Sequence, residues 1–169
     1  MLKTLLDYLR EYRRLGHEGF VAEHASPVVV FSPFLTLGGT GFRTLGGGAM
    51  RAGMPSVGVI RKRAGTNPFT QMITLGRAGN NDLELKAASV SKFHGYFTLD
   101  GSGAVFFTDS GSTFGTKVND TPLLPKIPQQ LQPGERITFG VLSAQILDPA
   151  GFADFLRSQI EGDPDDETD

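Results

Sequence analysis

The sequence contains no cysteine and no apolar run of the roughly 18 residues that a membrane-spanning helix needs. Without cysteine there can be no disulfide bond, thiolate metal site or cysteine nucleophile. The N-terminal segment carries Asp7 and Glu11, and it lacks both the uncharged stretch and the cleavage site of a secretory signal. We therefore expect a cytoplasmic protein, and 169 residues allow one domain with modest extensions.

Histidine is also scarce: the chain has three, at His17, His24 and His94. They are scattered along the sequence without the carboxylate partners that a metal site needs, so we expect neither a metal nor a cofactor. Ser91 and His94 resemble a nucleophile and its base, but residues three apart on a strand point to opposite faces. We therefore predict that the protein is not an enzyme and has no catalytic residues.

Basic and acidic residues are unevenly distributed. Residues 161–169 carry six acidic groups and no basic one, which leaves 16 basic and 12 acidic groups elsewhere. A mildly basic body suits an anionic ligand, although a surplus of this size is also ordinary. The polar tail at 162–169 is predicted to be disordered.

Glycine and proline are abundant, with 22 and 10 residues, and they favour short elements joined by turns. From Ser56 to Asp148, apolar and β-branched runs alternate with turn residues, and no strand alternates with a long helix. This pattern predicts an all-β sandwich rather than a parallel α/β sheet. The candidate strands are Val57–Lys62, Met72–Arg77, Asp82–Leu85, His94–Leu99, Val105–Asp109, Thr116–Val118, Arg136–Phe139 and Ser143–Leu147.

Residues 1–16 are predicted to form an amphipathic helix that ends at Gly16. Its apolar stripe would pack on the protein's own core; the alternative is a docking or dimerisation face. The stripe consists of Leu2, Leu5, Leu6, Leu9 and Tyr12.

Residues 17–55 are interpreted as a strand at Pro27–Phe31 followed by a glycine-rich extension with little fixed structure. The glycines do not form a phosphate-binding P-loop, because no Lys-Ser/Thr pair follows them. At the other end, Asp148 is a good N-cap for a C-terminal helix over residues 149–161. We expect the aromatic face of that helix to pack on the sandwich.

Five short motifs occur in a fixed order. They are Gly76-Arg77, Asn81-Asp82-Leu83, Val90-Ser91-Lys92-Phe93-His94, the run from Asp109 through Gly115-Thr116 to Asn119, and the run from Leu131 through Gly140. Together they resemble the forkhead-associated (FHA) domain, and the resemblance covers residues 56–148. It implies an FHA-type β-sandwich, here with short N- and C-terminal helices, whose loops recognise phosphothreonine in an extended peptide.

The resemblance also implies roles for individual residues. Arg77 and Ser91 would contact the phosphate, Thr113 would help to hold the phosphate or the adjacent peptide, and Lys92 would add positive charge. A phosphate carries about −1.5 to −2 charges, and an arginine fork can meet two of its oxygens. The remaining motif residues would be structural, with His94 bracing the loops and the others shaping turns: Gly76, Gly115, Thr116 and Asn119.

One residue departs from the family pattern. The residue after this threonine is usually Asn in the family, whose amide binds the peptide backbone, whereas here it is Phe114. Phe114 can offer only an apolar contact to the peptide. The leading hypothesis is a reader of phosphothreonine-containing proteins or peptides in a Ser/Thr protein kinase pathway; the alternative is a phospho-independent interaction or assembly module.

Other partner classes are not expected. The basic run Arg61-Lys62-Arg63 is interpreted as a solvated strand face rather than a nucleic-acid patch. We expect neither nucleic acid nor a membrane as a partner, and the oligomeric state remains open.

Overall fold

The computed structural model describes residues 2–31 and 55–161. In chain order these residues form β1 (Leu2–Thr4), α1 (Leu5–Glu23), β2 (Val28–Phe31), β3 (Ser56–Val59), β4 (Ile73–Gly76), β5 (Leu83–Glu84), β6 (Gly95–Leu99), β7 (Val105–Asp109), β8 (Thr116–Val118), β9 (Thr121–Pro122), β10 (Gln129–Leu131), β11 (Arg136–Phe139), β12 (Leu142–Leu147) and α2 (Pro149–Glu161). The predictions for the glycine-rich extension and the acidic tail fall on residues 32–54 and 162–169, outside the described residues.

The strands form two sheets that pack on a common core. The larger sheet has the order β1-β3-β2-β12-β11-β8-β9, and the smaller has the order β10-β7-β6-β4-β5. Paired strands run antiparallel, except that β4 and β5 are parallel. The predicted all-β sandwich with terminal helices is confirmed.

Aromatic side chains from both sheets meet in the core. Phe97 and Phe107 face each other across β6 and β7, with ring centroids 4.8 Å apart. Phe139 of the larger sheet approaches Phe107 at 5.2 Å, and all three rings are fully buried. Edge-to-face pairs of this kind add about 0.5–1.5 kcal/mol beyond the area they bury. This core fixes the strand ends from which the loops of the site emerge.

Strand β2 lies inside the larger sheet, between β3 and β12. Its four residues are all buried, as a continuous β-branched run requires when both faces of a strand are covered. The sandwich therefore includes chain well before Ser56, where we expected the domain to begin.

Helix α1 differs from the helix expected over residues 1–16. Leu2–Thr4 pairs with β3, and the helix begins after Thr4, whose side chain accepts a hydrogen bond from the Asp7 backbone in a capping box. Gly16 does not end the helix: with φ of 73° it introduces a kink, after which the helix continues to Glu23. Glycine allows this left-handed backbone without a steric penalty.

The apolar side of α1 packs on the protein itself. Tyr8 and Phe20 are buried and meet Phe152 of α2 at ring-centroid distances of 5.2 and 5.7 Å. Of the predicted stripe, Leu5 and Tyr12 are buried, whereas Leu6 is 38% exposed and Leu2 lies in β1. Part of the stripe thus packs on the protein's own core, and the alternative of a docking or dimerisation face stays a prediction.

Helix α2 occupies the range expected for the C-terminal helix. The Asp148 carboxylate accepts a hydrogen bond from the Gly151 backbone at 2.7 Å, which is the N-cap that the sequence predicted. Phe152 and Leu156 are buried in an apolar cluster between the two helices and the larger sheet, which also contains Phe20 and Val30. Within residues 2–31 and 55–161, neither helix combines the length and the apolar character needed to cross a bilayer.

Candidate functional site

Three loops meet at one end of the sandwich: β4–β5 (residues 77–82), β5–β6 (residues 85–94) and β7–β8 (residues 110–115). Ser91 lies where they join. Its carbonyl accepts a hydrogen bond from the Arg77 backbone at 2.9 Å, and its hydroxyl accepts one from the Thr113 backbone at 3.0 Å. The fold therefore brings together three residues that are up to 36 positions apart in the sequence.

Gly76 allows the first two loops to approach closely. A Cβ at this position would lie 2.2 Å from the Lys92 carbonyl oxygen and 2.9 Å from the Asn81 side-chain nitrogen. Real Cβ atoms do not come this close to backbone, so any larger residue would push the loops apart. This contact explains the glycine before Arg77 better than the turn-shaping role that we expected.

Asn81 clamps the same junction, although we assigned it no role from the sequence. It is buried, and its side-chain amide donates to the carbonyls of Ala78 and Lys92, each at 2.8 Å. Its position at the end of a short Ala78–Asn81 turn was the available signal, because asparagine side chains favour local bonds of this kind.

Arg77 is exposed and oriented by one hydrogen bond, from its Nε to the Val90 carbonyl at 3.1 Å. Within the part of the chain that the structure describes, its terminal amino groups have no protein partner, and neither Arg77 nor Lys92 forms an ion pair. Both cationic side chains are exposed, and their loops are joined by the hydrogen bond from the Ala78 backbone to the Lys92 carbonyl at 3.1 Å.

His94 is fully buried and ties two loops together. Its Nδ1 accepts the Ser91 backbone N–H at 3.1 Å, so the proton resides on Nε2, which lies 3.2 Å from the Gly115 carbonyl and 3.1 Å from the Thr116 hydroxyl. Burial lowers the pKa of His94, against the opposing effect of Asp109, which favours this neutral form.

This geometry corrects our reason for rejecting catalysis at Ser91 and His94. The two residues lie in a loop rather than on a strand, and they do meet. The contact uses the Ser91 backbone amide and not its hydroxyl, so His94 cannot take the hydroxyl proton in this arrangement.

Asp109 shapes the third loop, the one that carries Thr113. Its carboxylate accepts hydrogen bonds from the hydroxyls of Ser112 and Thr116 at 2.5 and 2.6 Å and from the Gly111 backbone at 2.9 Å. Burial alone would raise the pKa of this carboxyl, but these hydrogen bonds outweigh it and lower the pKa. Thr116 therefore acts through hydrogen bonds, whereas Gly115 shapes the turn with φ of 79°.

Thr113 and Phe114 project from this loop into solvent, and the Phe114 side chain is 63% exposed. Asn119 lies further along, in the β8–β9 turn, where it adopts φ of 49°. The structure thus groups Arg77, Ser91, Lys92 and Thr113 at one exposed place, with Phe114 beside them. Their binding of a phosphopeptide stays a prediction.

A shallow groove of about 330 Å³ lies beside Lys92, between Asn67, Asn80 and Phe93. Phe93 stacks between Phe69 and Tyr96, at ring-centroid distances of 6.4 Å on both sides. We did not identify this aromatic surface from the sequence, although Phe93 lies inside the Ser91–His94 motif.

Lys62 does not belong to a solvated basic face, as we expected. Its ammonium group donates to the Asp82 carboxylate at 2.7 Å and to the Asn67 side chain at 2.6 Å. Asp82 is buried and also accepts the Arg63 and Thr74 backbone amides at 2.7 and 2.9 Å. Lys62 and the Arg63 backbone therefore hold the β4–β5 loop to the segment that follows β3.

We predict that acid weakens this junction through Asp82. Burial raises its pKa, but the bonds from Lys62 and the backbone amides dominate and lower it to about 2. Because the folded-state pKa lies below the ordinary value of 3.8, Asp82 stabilises the fold above about pH 4 and loses this contribution as the pH falls towards 2. The unfolding free-energy difference between wild type and Asp82→Asn should shrink by about 2 kcal/mol between pH 5 and pH 2.

Urea unfolding at a series of pH values checks this. Ser158→Ala, which removes an exposed hydroxyl of α2 that does not titrate, is the control, and its offset from wild type should stay constant. A constant offset for Asp82→Asn as well would contradict the assigned role.

The described residues also contain one group suited to a metal ion. Side-chain ligand atoms of Glu11, Glu23 and His24 lie within 4.8 Å of one another. Our expectation that the histidines lack carboxylate partners is therefore wrong for His24. The sequence did not indicate the kink at Gly16, which brings the two ends of α1 together.

Comparison with known proteins adds the following. The sequence matches the family model of the FHA domain over residues 73–140. Among solved structures, an engineered FHA domain with a Myc-pTBD peptide is 20% identical, with 79% of this chain and 98% of that chain covered and a TM-score of 0.52. The solution structure of the FHA domain of an Arabidopsis thaliana hypothetical protein is 22% identical, with 73% and 86% covered and a TM-score of 0.51. No curated protein matches the sequence.

Proposed function

We propose that this chain binds phosphothreonine peptides and recruits partners phosphorylated by Ser/Thr protein kinases, on the premise that residues 73–140 match the family model of the FHA domain. The observation that carries the proposal is the convergence of Arg77, Ser91 and Thr113 at one exposed loop junction. The motif named these residues, and their proximity in the fold supports the proposal that they bind one ligand together.

The donors suit a doubly charged oxyanion. The Arg77 terminal amines have no partner among the described residues, and the Ser91 hydroxyl accepts from the Thr113 amide, which leaves its own proton to donate. Hydrogen bonds to a charged group contribute about 1.5–3 kcal/mol each, so two of them separate a phosphorylated peptide from its bare form by about 100-fold or more. Lys92 adds positive charge, and its ammonium group has no hydrogen-bond partner within residues 2–31 and 55–161.

The proposed role is binding rather than catalysis. Both ring nitrogens of His94 bind the loops that they brace, and the one hydroxyl that contacts the ring among the described residues, that of Thr116, donates to Asp109. The site thus offers positioned donors for an anion but no base beside a free nucleophile.

An oriented peptide library tests the proposal. The full chain is presented with libraries centred on phosphothreonine, phosphoserine or threonine, and bound peptides are identified by sequencing. We expect selection from the phosphothreonine library and none from the threonine library. Equal recovery from both would refute phosphate recognition.

The same screen decides on the alternative function. Phe114 is 63% exposed, and Leu124 and Ile127 are exposed at 68% and 54%. These side chains favour a phospho-independent interaction module on the same fold. That function requires enrichment of unphosphorylated sequences with apolar residues, in place of the phosphothreonine selection that we expect.

Phe114 gives a further prediction. Phenylalanine cannot hydrogen-bond a peptide backbone, whereas asparagine offers two donors and an acceptor at the same exposed place. Phe114→Asn should therefore strengthen binding of the selected phosphothreonine peptide by about 3–10-fold, the effect of one net hydrogen bond of about 1 kcal/mol. Fluorescence polarisation measures the change.

The matched control for this substitution is Leu99→Asn, at a 43% exposed apolar residue at the far end of β6. It should leave the affinity unchanged. Weaker binding by Phe114→Asn would mean that the apolar contact of the phenyl ring with the peptide contributes more than the asparagine hydrogen bonds, contrary to the prediction.

A further inference from the structure

A cluster of three metal-ligating side chains lies on the helical side of the protein, outside the loops of the FHA site. Glu11 belongs to α1 before the kink at Gly16, whereas Glu23 ends the helix after it and His24 follows directly. One ligand atom from each residue lies within 4.8 Å of the other two. The kink thus brings residues 12 and 13 positions apart to one spot.

The His24 ring has an unsatisfied nitrogen. Its Nε2 is buried and has no hydrogen-bond partner in the described ranges, although it lies 3.3 Å from Glu11 Oε1. The ring is held there by stacking on Phe20 at 4.2 Å and by an edge contact with Tyr8 at 5.8 Å. A buried polar atom without a partner is destabilising, and a bound cation would satisfy this nitrogen.

The carboxylates supply the charge that a cation needs. Glu23 is exposed and forms no ion pair within the described residues. Glu11 is half-buried, and its contact with the exposed guanidinium of Arg14 is long, at 3.8 Å. Two carboxylates neutralise a divalent ion, and an imidazole nitrogen favours transition metals over calcium or magnesium.

We propose that Glu11, Glu23 and His24 bind one divalent transition-metal ion, with zinc the ion that the set fits best. Two ligand atoms about 2.0–2.1 Å from a tetrahedral zinc lie about 3.4 Å apart, close to the 3.3 Å between His24 Nε2 and Glu11 Oε1. Water completes the four-coordinate site. The ion would cross-link the two segments of α1 and so fix the helix against the sandwich.

Titration of the full chain with Co²⁺, followed by visible absorption, tests the site, because tetrahedral cobalt absorbs strongly and Zn²⁺ in excess should displace it. We expect one cobalt per chain and a rise in the melting temperature of several degrees with saturating Zn²⁺. Glu11→Gln, Glu23→Gln and His24→Gln should each weaken binding by about tenfold or more.

Two variants separate binding at this cluster from nonspecific binding and from misfolding. Glu18→Gln changes an exposed carboxylate of the same helix outside the cluster, so it should bind cobalt as wild type does. The acidic tail is present in every variant, so any cobalt that the tail binds is the same in all of them. Glu23 is exposed, so its variant should fold even where His24→Gln does not. No tetrahedral cobalt spectrum, or equal binding by Glu23→Gln and wild type, would overturn the proposal.

Discussion

Replacing Arg77 with alanine should lower the affinity for a phosphothreonine peptide by about 100-fold or more and leave the weak binding of the unphosphorylated peptide unchanged. The guanidinium is exposed, oriented by Val90 and unpaired at its terminal amines within the described residues. Loss of two charge-assisted hydrogen bonds at about 1.5–3 kcal/mol each accounts for the effect. Isothermal titration calorimetry with the peptide selected from the library measures it.

Controls separate recognition from folding. Arg157→Ala removes an exposed arginine of α2 that pairs with Asp154, and it should bind as wild type does. Arg77→Lys keeps the charge but loses the planar fork, so its affinity should fall between those of wild type and Arg77→Ala. The site assignment fails if Arg77→Ala keeps the full preference for phosphate while its melting temperature matches wild type.

Replacing Gly76 with alanine should strongly lower the free energy of unfolding. The new methyl group would lie 2.2 Å from the Lys92 carbonyl oxygen, and both groups are held by backbone rather than by a flexible side chain. Overpacking of this kind costs about 3 kcal/mol or more when the backbone must move. Separation of the two loops would also displace Ser91 from Arg77, so peptide binding should fall together with stability.

The matched control is Gly79→Ala, three positions further along the chain in the β4–β5 loop. Its Cβ would meet nothing closer than 3.9 Å, so the change should be nearly neutral. Urea unfolding gives the free energy for both variants, and calorimetry gives the peptide affinity. A Gly76→Ala protein as stable as Gly79→Ala would show that the close approach is not needed.

Much of the sandwich could be predicted from the sequence, because its turns are encoded locally. The bounds of β7, β8 and β11 match the prediction, since Gly, Asn and Pro residues mark the turns around them. The motifs also indicated that Arg77, Ser91 and Thr113 lie near one another, and the close contact at Gly76 shows how tightly the loops approach. The binding role of these residues stays a prediction.

Features that depend on distant pairing could not be predicted. Leu2–Thr4 has leucine spacing suited to a helix, but it becomes a strand because β3 lies beside it in the sheet. β9 and β10 are short and mostly exposed, so they lack the alternating apolar pattern of a strand. The pairing of Lys62 with Asp82 and the grouping of His24 with Glu11 likewise arise only when separate segments meet.

Amide NMR spectra of the full chain, recorded while the selected phosphothreonine peptide is added, test most directly whether donors from separate loops bind one anion. We expect the largest shift changes at Arg77, Ser91 and Thr113, including the Arg77 side-chain Nε–H, and none of this size with the unphosphorylated peptide. Changes centred instead on the opposite end of the sandwich, around Ser26, Ser102 and Gln132, would contradict the account.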